Sequence, residues 1–359
     1  MLASEHGHLD VVRLLLENGA TVDSHRDNGW TSLRAASQNG HLDVMRLLLE
    51  NGATVDPSED GGWPSLMMAS EHGHLDVVRL LLENGATVDS RNDDGRTSLM
   101  AASQNGHLDV VRLLLENGAT VDHSEDGGWT SLMMASQNGH LDVVRLLLQN
   151  GATADSSEDG GCTSLMLASE NGHLDVVRLL LENGANANSS EDGGCTSLMV
   201  ASSIGHLDVV RLLLENGATV DSSEDSGWTS LMIASQNGHL DVVRLLFQNG
   251  AAVNSQYNDS DNPTLSSGTS RYPILHNNPM TTMQIQIQVN RASALLSISH
   301  RPTAISLLPN YSSNLVQMLI RRIRTKKPPY ILHHLTGDSR LHNCYSNLAQ
   351  MSILKIARV

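Results

Sequence analysis

The sequence predicts an all-α solenoid of stacked helix-turn-helix units with hairpin loops, followed by a tail of different character, and three observations lead there. The string Gly-His-Leu-Asp-Val begins at Gly7, Gly40, Gly73, Gly106, Gly139, Gly172, Gly205 and Gly238, a period of 33 residues without one insertion or deletion. Self-similarity at that spacing marks a repeat architecture. The apolar mass is Leu, Val, Ala and Met; with one Phe, five Tyr and four Trp in 359 residues, the large aromatics that fill most single globular cores are missing. The period ends near Asn254, so the chain divides into an array over 1–254, about eight units with the first truncated, and a basic, low-order tail over 255–359.

Within a unit the second helix is the easier to read. From Leu108 to Asn117, Asp109, Arg112 and Glu116 fall on one stripe at i, i+3 and i+7, while Val110, Val111, Leu113, Leu114 and Leu115 cover the rest of the circumference. Such a helix needs cover on both flanks, which stacked neighbours supply. Asp109 lies in the first turn, where the helix dipole favours a carboxylate, and Asn117-Gly118 offers a left-handed exit. Ahead of Gly106, Thr97 is placed to cap a shorter helix through Ser98, Leu99, Met100, Ala101, Ala102 and Ser103, with small Ala102 permitting close approach. Segments such as Ser124-Glu125-Asp126-Gly127-Gly128 are turn chemistry between units. Met1 aligns with Arg34, so the first unit enters inside its first helix. Neither end carries a polar closing unit, as expected of a piece of a longer array.

In the fourth unit, Asp94-Gly95-Arg96-Thr97-Ser98-Leu99, Ala101-Ala102, Gly106-His107, Val110-Val111, Leu113-Leu114-Leu115 and Gly118-Ala119 resemble the ankyrin repeat in order and spacing, and the resemblance covers residues 1–254. It implies helix, turn, helix and projecting hairpin per unit, stacked into a curved array that binds other proteins through a concave groove. Two departures stand out. The family's Thr-Pro-Leu-His is Thr-Ser-Leu-Met at Thr97 to Met100, which removes the proline suited to the first helical position and predicts a less rigid helix start. Most turns begin Glu-Asp, as in Glu-Asp-Gly-Gly-Trp at Glu59 to Trp63, which predicts a slightly altered loop.

Chemistry finds no foothold in the array. The histidines His8, His41, His74, His107, His140, His173, His206 and His239 sit one per unit. Stacked helices lie roughly 8–10 Å apart whereas Zn–N bonds are about 2 Å, so the ladder reads as structural. Cys162 and Cys195 are equivalent positions in adjacent units and read as free thiols, since a bridge wants Cα atoms within about 7 Å. Acidic turns such as Asn92-Asp93-Asp94-Gly95 lack the spacing and closing Glu of a calcium loop, and Gly61-Gly62 is not followed by the Gly-Lys-Ser/Thr of a phosphate loop. The Ser, His and Asp residues of the array mostly recur at regular spacing, whereas an active site needs one asymmetric constellation. No enzyme, cofactor, metal or small-molecule substrate is expected.

Differences between the units locate the expected surface. The position before the capping Thr reads Trp30, Trp63, Arg96, Trp129, Cys162, Cys195 and Trp228. The pair before Gly-His reads Gln38-Asn39, Glu71-His72, Gln104-Asn105, Gln137-Asn138 and Glu170-Asn171 in the second to sixth units. The resemblance places these positions along the partner groove, and Trp and Arg are enriched at binding hot spots. The competing reading is that each Trp packs on its neighbour's loop.

The net charge of −16 is unevenly shared, 12 Lys+Arg lying in residues 1–254 and 11 in 255–359, where only Asp259, Asp261 and Asp338 oppose them. The array is therefore near −24 and the tail near +8. An acidic array repels phosphates, so the expected partner is a protein with a basic or neutral surface, with no membrane and no nucleic acid except through the tail. There, Arg321-Arg322-Ile323-Arg324-Thr325-Lys326-Lys327 reads as a nuclear-import or nucleic-acid cluster. Two other readings stand beside it: a low-order tail lying electrostatically on the array, or sequence translated past a misplaced exon boundary. Thr282 to Val289 alternates as a short strand would. Three cysteines, no secretory leader pattern behind Met1 and no run of about 18 apolar residues predict a soluble chain of the cytoplasm, or of the nucleus through its tail. The function expected is a non-enzymatic scaffold or adaptor; the alternative is a nuclear regulatory module driven by residues 321–327.

Overall fold

The computed structural model describes residues 1–26, 29–55 and 62–253. The tail, its basic cluster and its candidate strand lie outside the described residues. All the described residues belong to one compact unit.

Among the described residues sixteen helices alternate in length along the chain. In the fourth unit they are Ser98–Gln104 and Leu108–Glu116, joined through Gly106, whose φ of 75° only a residue without a Cβ adopts readily. As the pattern predicts, Asp109, Arg112 and Glu116 are exposed while Val110, Val111, Leu113 and Leu114 are buried. Asp109 occupies the first turn, and Gly118 follows the helix at φ 87°.

The missing proline leaves the helix starts closed. Thr31, Thr97, Thr130, Thr163, Thr196 and Thr229 each accept the backbone N–H three residues on, at 3.2–3.4 Å. Pro64 at this position leaves the third unit's first helix without a side-chain cap, as Met1 leaves the short helix Leu2–Glu5 of the first unit. The altered turn also keeps its geometry. Asn92 and Gly95 donate to Arg96 O and Asn92 O, and in the Glu-Asp-Gly-Gly-Trp version Glu125 and Gly128 donate to Trp129 O and Glu125 O. The hairpins are minimal, and five of them are closed by a single antiparallel bridge such as Ser124 with Thr130.

First helices pack on first helices of the next unit and on the second helix of their own, and second helices pack on second helices. One apolar core consequently runs from Val12 to Ala251. Three polar ladders follow it. The Nε2–H of His41, His74, His107, His140, His173, His206 and His239 donates to a carbonyl 36 residues earlier at 2.9–3.0 Å. Asp23, Asp89 and Asp122 accept from both the backbone and the hydroxyl of Thr54, Thr120 and Thr153 in the following unit. At the hairpin tips, Asp126, Asp159, Asp192 and Asp225 donate backbone N–H to Asp94, Gly127, Gly160 and Gly193 at 2.9–3.2 Å.

The histidine ladder explains the glycine before it. A Cβ built on Gly106 would lie 2.5 Å from Nδ1 of His140, the next unit's ring, whereas one built on Gly118 meets nothing within 4 Å although both have positive φ. Both substitutions therefore carry a left-handed backbone penalty of about 1–2 kcal/mol, and only the first also displaces a packed ring. Gly106→Ala is expected to lower stability by at least about 3 kcal/mol and Gly118→Ala by about 1–2 kcal/mol. Urea unfolding followed by circular dichroism compares them; equal losses would show that the ring contact carries no energy.

Candidate partner-binding surface

The hairpins and the first helices hold the residues by which the units differ. Trp63, Arg96 and Gln104 come together across two units: the Arg96 guanidinium stands 5.7 Å from the centroid of the Trp63 ring and donates to Gln104 Oε1. The same side chain reaches Met134 Sδ at 3.9 Å and pairs with Glu125 at 3.6 Å in the next unit. Burial pushes the Glu125 carboxyl above its ordinary pKa, and Arg96 offsets part of that shift. Arg96 thus joins three consecutive units on one surface, with Trp63 and Gln104 half-buried or exposed beside it.

Trp129 forms the second cluster. It packs against Met133, Cys162, Met166 and Leu167, and its indole also lines a cavity of about 500 Å³ with Glu125, Glu158, Asp159, Glu191 and Asp192. The hairpin-tip ladder sets these carboxylates in register, because it fixes the spacing of three successive turns. Of these, Glu158 is held inward by its own loop, its Oε1 accepting the Cys162 N–H at 3.1 Å, as Glu224 of a later turn accepts that of Trp228 at 3.0 Å. Glu191 and Glu224 are buried.

The remaining expected residues divide. Trp30 is half-buried at the second unit's hairpin. Trp228 departs from the expectation for a contact residue: it is 4% exposed and packs with Cys195, Met199, Val200, Met232 and Ile233 in a core cluster of the last two units. The reason is its neighbour. Cys195, at the same position one unit earlier, is small enough for the indole to close over it. For Trp228 the reading as a packing residue is the one that fits.

In the second column, Asn39, Asn105, Asn138 and Asn171 each donate Nδ2–H to the carbonyl four residues back, at 2.8–2.9 Å. His72 Nδ1 stands 3.0 Å from Met68 O in the same way. These side chains close the C-terminal ends of their own helices. Gln38, Glu71, Gln104, Gln137 and Glu170 offer their carbonyls to the histidine ladder, while their side chains stand half-buried or exposed at the surface. The signal that was missed is the spacing itself, since an amide at the last position of a helix reaches the i−4 carbonyl.

Cys162 and Cys195 are buried, and burial among apolar side chains with Glu191 and Glu224 nearby pushes the Cys195 thiol well up. Alkylation by iodoacetamide at pH 8 is expected to spare Cys195 until urea unfolds the array, because the thiolate is the reactive form; peptide mass mapping reads it. Trp228→Ala is expected to cost about 3–5 kcal/mol and Trp63→Ala less than half as much. Similar losses on urea unfolding would mean that Trp63 is equally a packing residue.

The comparison with curated proteins finds no match. The family model for ankyrin repeats, in three copies, matches residues 1–92, 55–125, 120–191 and 165–257. These matches span more than half of the chain and coincide with the 33-residue units, their paired helices and their hairpins. The chain belongs to the ankyrin-repeat family.

Proposed function

We propose that the chain is a non-enzymatic scaffold or adaptor that engages a protein with a basic or neutral surface along the hairpins and first helices of its units. Ankyrin repeats are protein-interaction modules, which supports the class of function. The observation that carries the finer reading is the cavity beside Trp129, where an aromatic wall stands among five carboxylates on an array of net charge near −24. A Lys or Arg side chain meets both an aromatic face and opposite charge there. Trp63 with Arg96 and Gln104 supplies a second anchor over the two preceding units, and Trp30 extends the same column. The buried thiols fit a reducing compartment, and we place the protein in the cytoplasm.

The second reading, a nuclear regulatory module, rests on Arg321 to Lys327, outside the described residues. Nuclear retention that depends on that cluster, with salt-sensitive binding to DNA or RNA, would favour it.

The test begins with capture of a partner on the immobilised chain and calorimetry of the purified pair. Trp63→Ala or Trp129→Ala is expected to weaken binding by about 2 kcal/mol or more, with affinity falling as salt rises. Charge reversal at Glu116 or Arg145, on the exposed stripe of the second helices, is expected to change it far less. Urea midpoints measured alongside separate lost contact from lost folding. Normal binding by both Trp variants together with failure of the stripe variants would move the site to the other face.

A further inference from the structure

The hairpin column holds one group of positions twice, with a cation in the first instance and a cysteine in the second. In the first, the Arg96 guanidinium lies 5.7 Å from the centroid of the Trp63 ring, pairs with Glu125 at 3.6 Å and donates to Gln104 Oε1. Two repeat periods carry Trp63, Arg96, Gln104 and Glu125 onto Trp129, Cys162, Glu170 and Glu191. The aromatic ring and the carboxylate recur, and a second carboxylate stands where the amide was. Only the cation is gone.

Cys162 is far shorter than arginine, and a cavity of about 500 Å³ opens beside Trp129, with Glu191, Glu158, Asp159 and Asp192 in its walls. The other tryptophans do not repeat this arrangement. Trp30 has Trp63 at the place of the cation, and Trp228 is buried. Carboxylates gathered in one wall disfavour one another, so a cation placed among them gains opposite charge as well as an aromatic face. A guanidinium suits this better than an ammonium. Its plane can lie on the indole while the N–H groups at its edge reach carboxylates, whereas an ammonium is a compact point charge.

We propose that the cavity beside Trp129 is a binding site for an arginine side chain on a segment of another protein. The guanidinium stacks on Trp129 and donates to Glu191 and Glu170, as that of Arg96 meets Trp63, Glu125 and Gln104. The array thus carries, two units earlier, a copy of its own ligand. The inference rests on the hairpin face being the partner surface and makes the anchor arginine in preference to lysine.

Titration of the full-length, isotope-labelled chain with N-acetyl-arginine amide or N-acetyl-lysine amide tests this, read at the indole N–H resonances and assigned from single Trp→Phe variants. The Trp129 signal is expected to shift saturably with the arginine probe, at a Kd on the order of millimolar, and at least about fivefold more weakly with the lysine probe. Cys162→Arg supplies the side chain from within and is expected to abolish the response of Trp129. Arg96→Cys is the reciprocal change and is expected to create a second site, at which Trp63 responds to the arginine probe. It also carries the test if circular dichroism shows that Cys162→Arg folds poorly. Repeating the titration on a chain with Arg321→Gln, Arg322→Gln and Arg324→Gln identifies the source: unchanged affinity supports an outside protein, and tighter probe binding would assign the site to the chain's own basic cluster and overturn the partner. A Trp129 silent in both chains, equal responses to the two probes, or a Trp63 that stays silent in Arg96→Cys would overturn the arginine site itself. Loss of partner binding in Trp129→Ala without any response to the probe would leave the partner surface standing and remove only the arginine.

Discussion

The joint between units, a histidine ring seated on a glycine that has no Cβ, is the constraint on which the rest of the structure depends. Helices of seven and nine residues are too short to persist alone in water, and each second helix is apolar around most of its circumference. Order therefore has to come from the neighbour. The histidine sets the distance to that neighbour by donating Nε2–H to a carbonyl 36 residues back, and burial holds the pKa of His74 below its ordinary value in spite of that bond. A neutral ring is the form that suits a joint in which His41, His74 and His107 follow one another along the stack. The Asp to Thr bonds and the backbone ladder at the hairpin tips repeat the same register at two further radii, so one inserted residue would break several contacts at once. That is a physical reason for a period free of insertions.

Much of this architecture was legible because it is local and recurs. Helix, cap and left-handed exit depend on residues within one unit, and Thr97, Asp109 and Gly118 take the places that spacing assigns them. The parts that were not legible depend on what lies in the adjacent unit. Trp129 and Trp228 look alike in sequence, yet Trp129 borders an open cavity while Trp228 is closed over Cys195 inside a cluster with Met232 and Ile233. The column itself held the clue: where a Trp neighbours a Cys, as Trp228 does Cys195 and Trp129 does Cys162, large packs on small. Arg34 is a further case. It stands where later units carry a buried Met, and it is buried too, donating to Gly29 O at 2.7 Å; nothing in its own unit marks it as interior.

The surface carries the consequences of the same repetition. A turn read as Glu-Asp-Gly-Gly is locally sound, but stacked turns bring Glu125, Glu158 and Glu191 into one row, where like charges disfavour one another. The array accommodates this by turning carboxylates onto backbone donors, as Glu158 does with Cys162 and Glu224 with Trp228, and by one cation, Arg96, set between Trp63 and Glu125. Negative potential is thereby concentrated at the hairpins, beside the aromatic side chains, and much less on the second helices, where each Arg shares its stripe with Asp and with Glu or Gln.

A joint assembled wholly from groups that every unit carries has one more consequence. Specificity within the chain comes from connectivity: His140 meets Gly106 because the two are tethered, and His173 would fit there equally well. The columns that vary, at the hairpin and before Gly-His, lie outside this joint, which lets the surface change from unit to unit without altering the stack. Substitutions at Trp63 or Arg96 act on one place along the surface, whereas a substitution at Gly106 or His140 acts on the continuity of the array on both sides of it.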